Sequence, residues 1–167
     1  SGGSAFLDGT ASGSPTNAST DWSAFINVSA SAFFDTTNLS PLGSNSLKIS
    51  LTGAGSYIEV FKPSTVNGLL GYYGVSKIKV NPSTSYTWSF YLKTNYVSGD
   101  SNDGFRVAFL LSNSVGASAG GGANSTTIKT TTGWTKYTGT FTTTATSRYL
   151  QVSPLVYGHT GAATLVM

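Results

Sequence analysis

Five side chains have the chemistry needed to hold a flat, hydroxylated ligand. A tyrosine ring can stack weakly on the apolar face of a sugar ring, while arginine and glutamine direct hydrogen bonds to its hydroxyl groups. The same residue types also occupy outward positions of strands that bind nothing, and both interpretations stay open at this point. The five residues are Tyr72, Tyr73, Arg106, Tyr149 and Gln151.

Catalytic chemistry finds less support in the sequence. Residues 116–120 read GASAG and match the G-x-S-x-G nucleophile motif at Ser118. That motif requires a strand, a sharp turn and a helix, whereas here it lies in a run of Ala and Gly without a helical pattern after it. Glycoside cleavage needs a pair of carboxyl groups, and the only Glu, Glu59, has no second acid on its predicted face. We therefore predict that the chain is not an enzyme.

Metal-binding residues are few. The chain has no Cys and a single His, His159, which excludes thiolate and multi-histidine sites within one chain. Residues 100–104, DSNDG, place oxygen ligands close together but are shorter than an EF-hand loop and lack its closing Glu. A solvated turn is the favoured interpretation there, and a calcium ion is the alternative.

Composition narrows the class of protein. Charged residues make up 9% of the 167 residues, against about 25% in an average protein. Ser and Thr together number 50, 26 plus 24, so the surface is neutral and rich in hydroxyl groups. The net charge of +3 reflects few acids, and no cluster of Lys and Arg exists for nucleic acid. No apolar run reaches the roughly 18 residues of a membrane span. We predict an extracellular, cell-surface or virion location.

Apolar residues recur with a period of two, which predicts β-strands throughout. Short strands at regular spacing, separated by turn residues, are typical of an all-β sandwich. We expect one such domain over residues 21–167, preceded by a flexible or exchanged lead-in at residues 1–20. Within residues 24–34 we expect a first strand. Further strands are predicted at residues 46–52, 57–61, 72–80, 85–93, 105–112, 126–131, 135–142, 149–156 and 162–167.

Alternation also sorts the side chains by face. In the clearest strand, Tyr86, Trp88, Phe90 and Leu92 point one way and are expected in the core, because burial favours the apolar set. The opposite set of side chains is expected to face outward, and across the strands it comprises Lys77, Lys79, Tyr91, Lys93, Arg106, Tyr149 and Gln151.

Four segments resemble strands of the family 4 and family 9 type carbohydrate-binding modules. Residues 43–49 (GSNSLKI) resemble their G-x-x-S-L-K-I strand, and residues 80–93 (VNPSTSYTWSFYLK) their V-x-P-G-T-x-Y-T-L-S-F-x-x-K segment. Residues 133–142 (GWTKYTGTFT) are similar to the W-x-x-Y-x-x-x-F-T strand, and residues 161–166 (GAATLV) to the start of the final strand. Ser83 stands where the family favours Gly.

The resemblance implies a two-sheet antiparallel jelly roll. One sheet would hold residues 46–52, 85–93, 135–142 and 162–167, and the other residues 57–61, 72–80, 105–112 and 149–156. In such modules the second sheet is concave and holds a polysaccharide or cell-surface glycan. If the binding site is carried over to this sequence by its sheet face and not by matching residues, the lectin-like site would comprise Tyr72, Tyr73, Lys77, Arg106, Tyr149 and Gln151.

The resemblance also implies a structural calcium, the only cofactor expected. An N-terminal acid and a terminal acidic pair commonly hold it in the family. The pair is absent from this sequence, and Asp8 and Asp35 are the N-terminal candidates.

A different function is also open: a structural subunit of an extracellular filament or virion, such as a pilus-like, tail or decoration protein. Jelly rolls serve in both roles. The nearly uncharged surface, the small-residue segment 1–20 and the apolar final strand favour it. In this role the partners would be further copies of the chain, joined at open sheet edges.

Overall fold

A computed structural model describes residues 16–17, 23–27, 30–35, 41, 46–51, 57–61, 64–66, 69–71, 78–95, 104–157 and 163–167. Side-chain surroundings are described for residues 41, 46–51, 78–95, 104–156 and 164–167. Every regular element in these ranges is a strand. The strands are β1 (Thr16–Asn17), β2 (Ser23–Asn27), β3 (Ala30–Asp35), β4 (Ser46–Leu51), β5 (Tyr57–Phe61), β6 (Ser64–Val66), β7 (Leu69–Gly71), β8 (Ile78–Lys79), β9 (Ser85–Thr94), β10 (Gly104–Ser112), β11 (Ala123–Asn124), β12 (Thr132–Thr142), β13 (Tyr149–Tyr157) and β14 (Ala163–Val166).

The strands form two antiparallel sheets and a small hairpin, β6–β7. In the described chain, one sheet has five strands in the order β12-β9-β14-β4-β3. The other has seven, ordered β1-β2-β5-β13-β10-β11, with β8 also paired to β13. From β8 onward the long strands alternate between the sheets, as in a jelly roll. The predicted all-β sandwich is confirmed, and so is the sheet assigned to each predicted strand that the structure describes.

Aromatic side chains fill the space between the sheets. Trp88 of β9 stacks on Phe109 of β10 with ring centres 5.3 Å apart, and Phe109 stacks on Phe141 of β12 at the same distance. Opposite Trp88 in the ladder stands Gly139, where a Cβ would collide with the indole ring. These contacts bury the predicted inward set of β9 and join both sheets into one core.

The turn from β8 into β9 is held by side chains. Ser83 has a φ of +49°, in the left-handed region that favours glycine. The Thr143 hydroxyl donates to Asn81 O (2.6 Å) and accepts from the Thr84 amide (2.8 Å). The Asn81 amide donates to the Tyr86 hydroxyl at 2.8 Å. The position at which the family 4 and 9 type modules favour Gly therefore has, in this chain, a backbone conformation that explains such a preference.

One predicted strand is wrong. Residues 126–131 form no strand; Ile128 alone makes a β-bridge to Phe105, and a short strand, β11, precedes it. The reason is local competition by a hydroxyl group: Ser125 Oγ accepts the Val107 amide at 2.9 Å, in place of a backbone carbonyl. The expected first strand within residues 24–34 is two strands, β2 and β3, and of the predicted strand 72–80 the structure describes only residues 78–80.

Candidate functional site

The side of the seven-stranded sheet that faces away from the core carries the predicted site. Phe105, Val107, Phe109 and Leu111 of β10 point into the core, so the residues between them occupy the other face. On β13 the same alternation leaves Gln151 outside, between the core-facing Leu150 and Val152. We call this surface the β10–β13 face; it comprises Arg106, Ala108, Leu110, Ser112, Tyr149, Gln151, Ser153 and Leu155.

Ladder register sets which of these side chains are neighbours. Arg106 lies opposite Leu155, Leu110 opposite Gln151, and Ser112 opposite Tyr149. Arg106 and Leu110 are four residues apart on β10, about 13 Å along the strand. The three predicted binding residues that the structure describes, Arg106, Tyr149 and Gln151, thus share one face over the length of an oligosaccharide.

The middle of the β10–β13 face is covered. Gln151 is 5% exposed, and Ala108, Ser153 and Leu155 are equally buried. Arg106, Leu110 and Tyr149 are half-buried, and Lys79 of β8, opposite Tyr149, is exposed. The expectation that Gln151 stands open to solvent is therefore wrong: alternation places it on the correct side of the sheet but does not reveal what lies over that side.

Gln151 has an unusual environment. Neither its Oε1 nor its Nε2 has a hydrogen-bond partner among the described residues, although both atoms are buried. A buried primary amide without partners costs about 1–3 kcal/mol, and such groups are rare in folded proteins. Sequence alternation gives no signal for this, since hydrogen bonding of a side chain depends on what packs over it.

Two described strands pair with one edge of β13. They are β5, at residues 155–157, and β8, at residues 149–150.

Three of the predicted site residues, Tyr72, Tyr73 and Lys77, lie outside the described residues. The same holds for the side chains of Asp8, Asp35, Glu59 and His159 and for residues 100–103, so the structural calcium and the acid-rich turn stay predictions. Ser118 of the G-x-S-x-G match is described: it is exposed, forms a β-bridge with Ser112, and its Oγ accepts the Gly120 amide at 3.3 Å. A loop and β11 follow it, not the helix that a nucleophile elbow requires.

No family model matches the chain, and no curated protein does. Among solved structures, the chain is similar to the enzymatically active domain of tailspike protein 4 from bacteriophage CBA120 (TM-score 0.59, 12% identity, 88% of this chain and 19% of that one). It is also similar to the CBM22-1–GH10 modules of Clostridium thermocellum xylanase 10B complexed with xylohexaose (TM-score 0.53, 12% identity, 88% and 25%).

A third similar structure is a family 16 carbohydrate-binding module (TM-score 0.50, 15% identity, 82% of this chain and 80% of that one). The chain thus spans about a fifth of the tailspike chain, a quarter of the xylanase chain and most of the family 16 module. At these identities the likeness establishes the fold, a β-sandwich of the kind found in carbohydrate-binding modules. The described part of the chain contains no helix that could span a membrane.

Proposed function

We propose that this protein is a non-catalytic carbohydrate-binding module that holds a glycan on the β10–β13 face. The observation that carries the proposal is the buried, unpartnered amide of Gln151 on that face. An amide oxygen and an amide nitrogen together accept and donate, which matches the hydroxyl groups of a sugar.

Hydrogen bonding of the Gln151 amide to a ligand is energetically favourable. Because the amide has lost water and gained no protein partner, each hydrogen bond to a sugar hydroxyl satisfies a group that is unsatisfied beforehand. Both atoms are covered, so a sugar reaches them only if the Gln151 side chain rotates or its cover shifts.

The half-buried residues around Gln151 would complete the site. Tyr149 offers a ring for stacking, and Arg106, four ladder rows from Gln151, has hydrogen-bond donors for a second sugar residue. We also propose Tyr72, Tyr73 and Lys77 as contributors, because they are predicted to lie on the same face of the sheet. An extracellular location and a glycan partner go with this function, and the membership of family 4 or 9 and the calcium ion remain proposals.

The test is glycan binding measured by calorimetry on the whole chain. Xylohexaose is the first ligand to try, because it occupies one of the structurally similar proteins, with cello- and manno-oligosaccharides of equal length beside it. For the best ligand, Gln151→Met should weaken binding about tenfold, the equivalent of one to two hydrogen bonds. Arg106→Ala should weaken it by a similar factor.

Two controls keep this test specific. Arg148→Ala removes an exposed arginine from a turn, where it donates to Ala145 O and Ser147 O, and Thr138→Ala truncates an exposed residue of the other sheet. Both variants should bind as the unaltered chain does. Binding that survives Gln151→Met and Arg106→Ala, or a blank result across a broad glycan panel, contradicts the proposal.

A structural subunit of a virion or filament is the second candidate. It is favoured by the exposed, uncharged row of hydroxyl side chains on β9 and β12 and by the likeness of fold to a phage tailspike domain. Sedimentation velocity at rising concentration separates the candidates: a binding module stays monomeric, whereas a filament subunit assembles without any glycan.

A further inference from the structure

A cleft of about 270 Å³ opens on the five-stranded sheet, in the opposite layer from the β10–β13 face. It lies where β9 ends, β12 begins and β14 runs between them and β4. Its walls include Lys93, Asn95, Thr131, Thr132, Thr164 and Val166.

Local irregularity in β12 creates the cleft. Thr132 and Thr135 both pair with β9, but a bulge between them shifts the register from Thr94 to Leu92. On the other side, Asn95 clamps β14: its backbone amide donates to Thr164 O (3.2 Å), and its Oδ1 accepts the Thr164 amide (2.6 Å). The walls are therefore fixed by backbone contacts on both sides.

Polar side-chain atoms at this cleft are available to a ligand. Because Asn95 Oδ1 accepts a backbone amide, the orientation of its side chain is settled, and its Nδ2 remains as a donor for which the described residues provide no partner. Thr132 Oγ1 is buried and has no partner among the described residues. Lys93 is exposed on the rim and contributes the only charge among the described residues that line the cleft.

Among the described residues that line the cleft, Lys93 is charged and none is acidic. This described lining therefore favours an anionic ligand over a cationic one.

The remaining lining fits the body of a sugar. Val166, which is 4% exposed, and the methyl groups of three threonines provide an apolar surface between the polar groups. We propose that this cleft is a second saccharide site, which takes one uronic-acid residue with its carboxylate toward Lys93 and the Asn95 amide. The inference does not depend on the β10–β13 face.

The experiment compares tri-galacturonic acid with its methyl ester on the whole chain by calorimetry, at about 20 mM and about 200 mM salt. The two probes share one sugar skeleton, and each carboxyl group is an anion in the acid and a neutral, slightly larger methyl ester in the other. At low salt the acid should bind at least tenfold more tightly, as expected of charge-assisted hydrogen bonds, and the advantage should shrink at high salt. Lys93→Met, which keeps the aliphatic stem, should abolish the advantage.

Lys136→Met is the matched control. Lys136 is an exposed lysine on the same sheet face, opposite Tyr91 and outside the cleft, so this variant should keep the preference for the acid. Thr131→Val tests the cleft without altering charge, and should weaken both probes about equally.

Several results would overturn the inference. Equal binding of the acid and the ester would show that the carboxylate is not recognised. An equal loss of the preference for the acid in Lys93→Met and Lys136→Met would show that the preference depends on the net charge of the protein and not on the cleft. Displacement by acetate or phosphate at concentrations similar to those of the sugar acid indicates a simple anion site. Loss of tri-galacturonate binding in Gln151→Met would place the ligand on the β10–β13 face instead, which would refute the cleft while supporting the first site.

Discussion

The outer faces of the two sheets follow the same alternation of residues but differ in how far those residues are exposed to solvent. On the five-stranded sheet, outward residues of β9 and β12 stand opposite one another in exposed pairs. On the β10–β13 face, the corresponding outward positions of both strands are mostly buried, although they too face away from the core. We call the first surface the β9–β12 face; it comprises Ser85, Thr87, Ser89, Thr138, Thr140 and Thr142.

The two faces also differ in how their polar groups are satisfied. Water can reach every hydroxyl of the β9–β12 face, so this surface is solvated without any charge on those six residues. The amide of Gln151 is buried and has no partner among the described residues. Alternation therefore tells which side of a sheet a residue occupies, whereas its solvation depends on segments far away in the sequence. Three sets of substitutions test this contrast.

The largest effect should come from adding a charge to each face. Ala108→Lys places an ammonium group on the buried part of the β10–β13 face, and should lower the free energy of unfolding by about 3–5 kcal/mol, because a buried charge without a counter-ion is poorly solvated. Thr140→Lys on the β9–β12 face should change it by less than about 0.5 kcal/mol. Urea denaturation of both variants makes the comparison, and similar losses would mean that the two faces are equally open.

An effect of opposite sign is expected at Gln151. Gln151→Met keeps the length of the side chain and removes the unsatisfied amide, so it should raise the free energy of unfolding by about 1–3 kcal/mol. For a chain of this size each kcal/mol corresponds to about 2–4 °C in Tm, which calorimetry resolves. Destabilisation instead would show that the amide is hydrogen-bonded in solution, and would remove the observation on which the glycan site rests.

The smallest effect should come from the exposed hydroxyl groups. Thr87→Val and Thr140→Val exchange one cross-strand Thr pair for two valines of equal shape and β-propensity. The free energy of unfolding should move by no more than about 0.5 kcal/mol for either variant or for the double variant. A larger loss would indicate that this pair is structural rather than a solvated surface, as thermal unfolding of all three variants would reveal.

Much of the fold was predictable from the sequence because one side of each long strand is buried, so apolar residues recur there at every second position. The alternation of Tyr86 to Leu92 and of Phe105 to Leu111 identified the core residues correctly. The family resemblance then assigned strands to sheets, and the pairing of β9 with β12 and β14 confirms that these three strands share one sheet.

The sites were less predictable, since they depend on contacts between distant segments. The burial of Gln151 depends on what packs over its side of the sheet, and the strand pattern carries no signal for it. The predicted strand 126–131 failed because a serine side chain took a backbone amide. The Lys93 cleft arises from a bulge in β12, and sequence alternation had placed Lys93 outward without a role.

Ser83 offers an opening for protein engineering. A residue with a Cβ in the left-handed conformation destabilises the folded state by about 1–2 kcal/mol. Glycine removes this strain, and its greater chain entropy in the unfolded state offsets only part of the gain. The turn keeps its shape because Thr143 and Tyr86 tie it to the sheets, so exchanging Ser83 for glycine relaxes the backbone without loosening those ties. Thermal tolerance can therefore be improved at a turn outside both proposed saccharide sites, leaving recognition free to be redesigned separately.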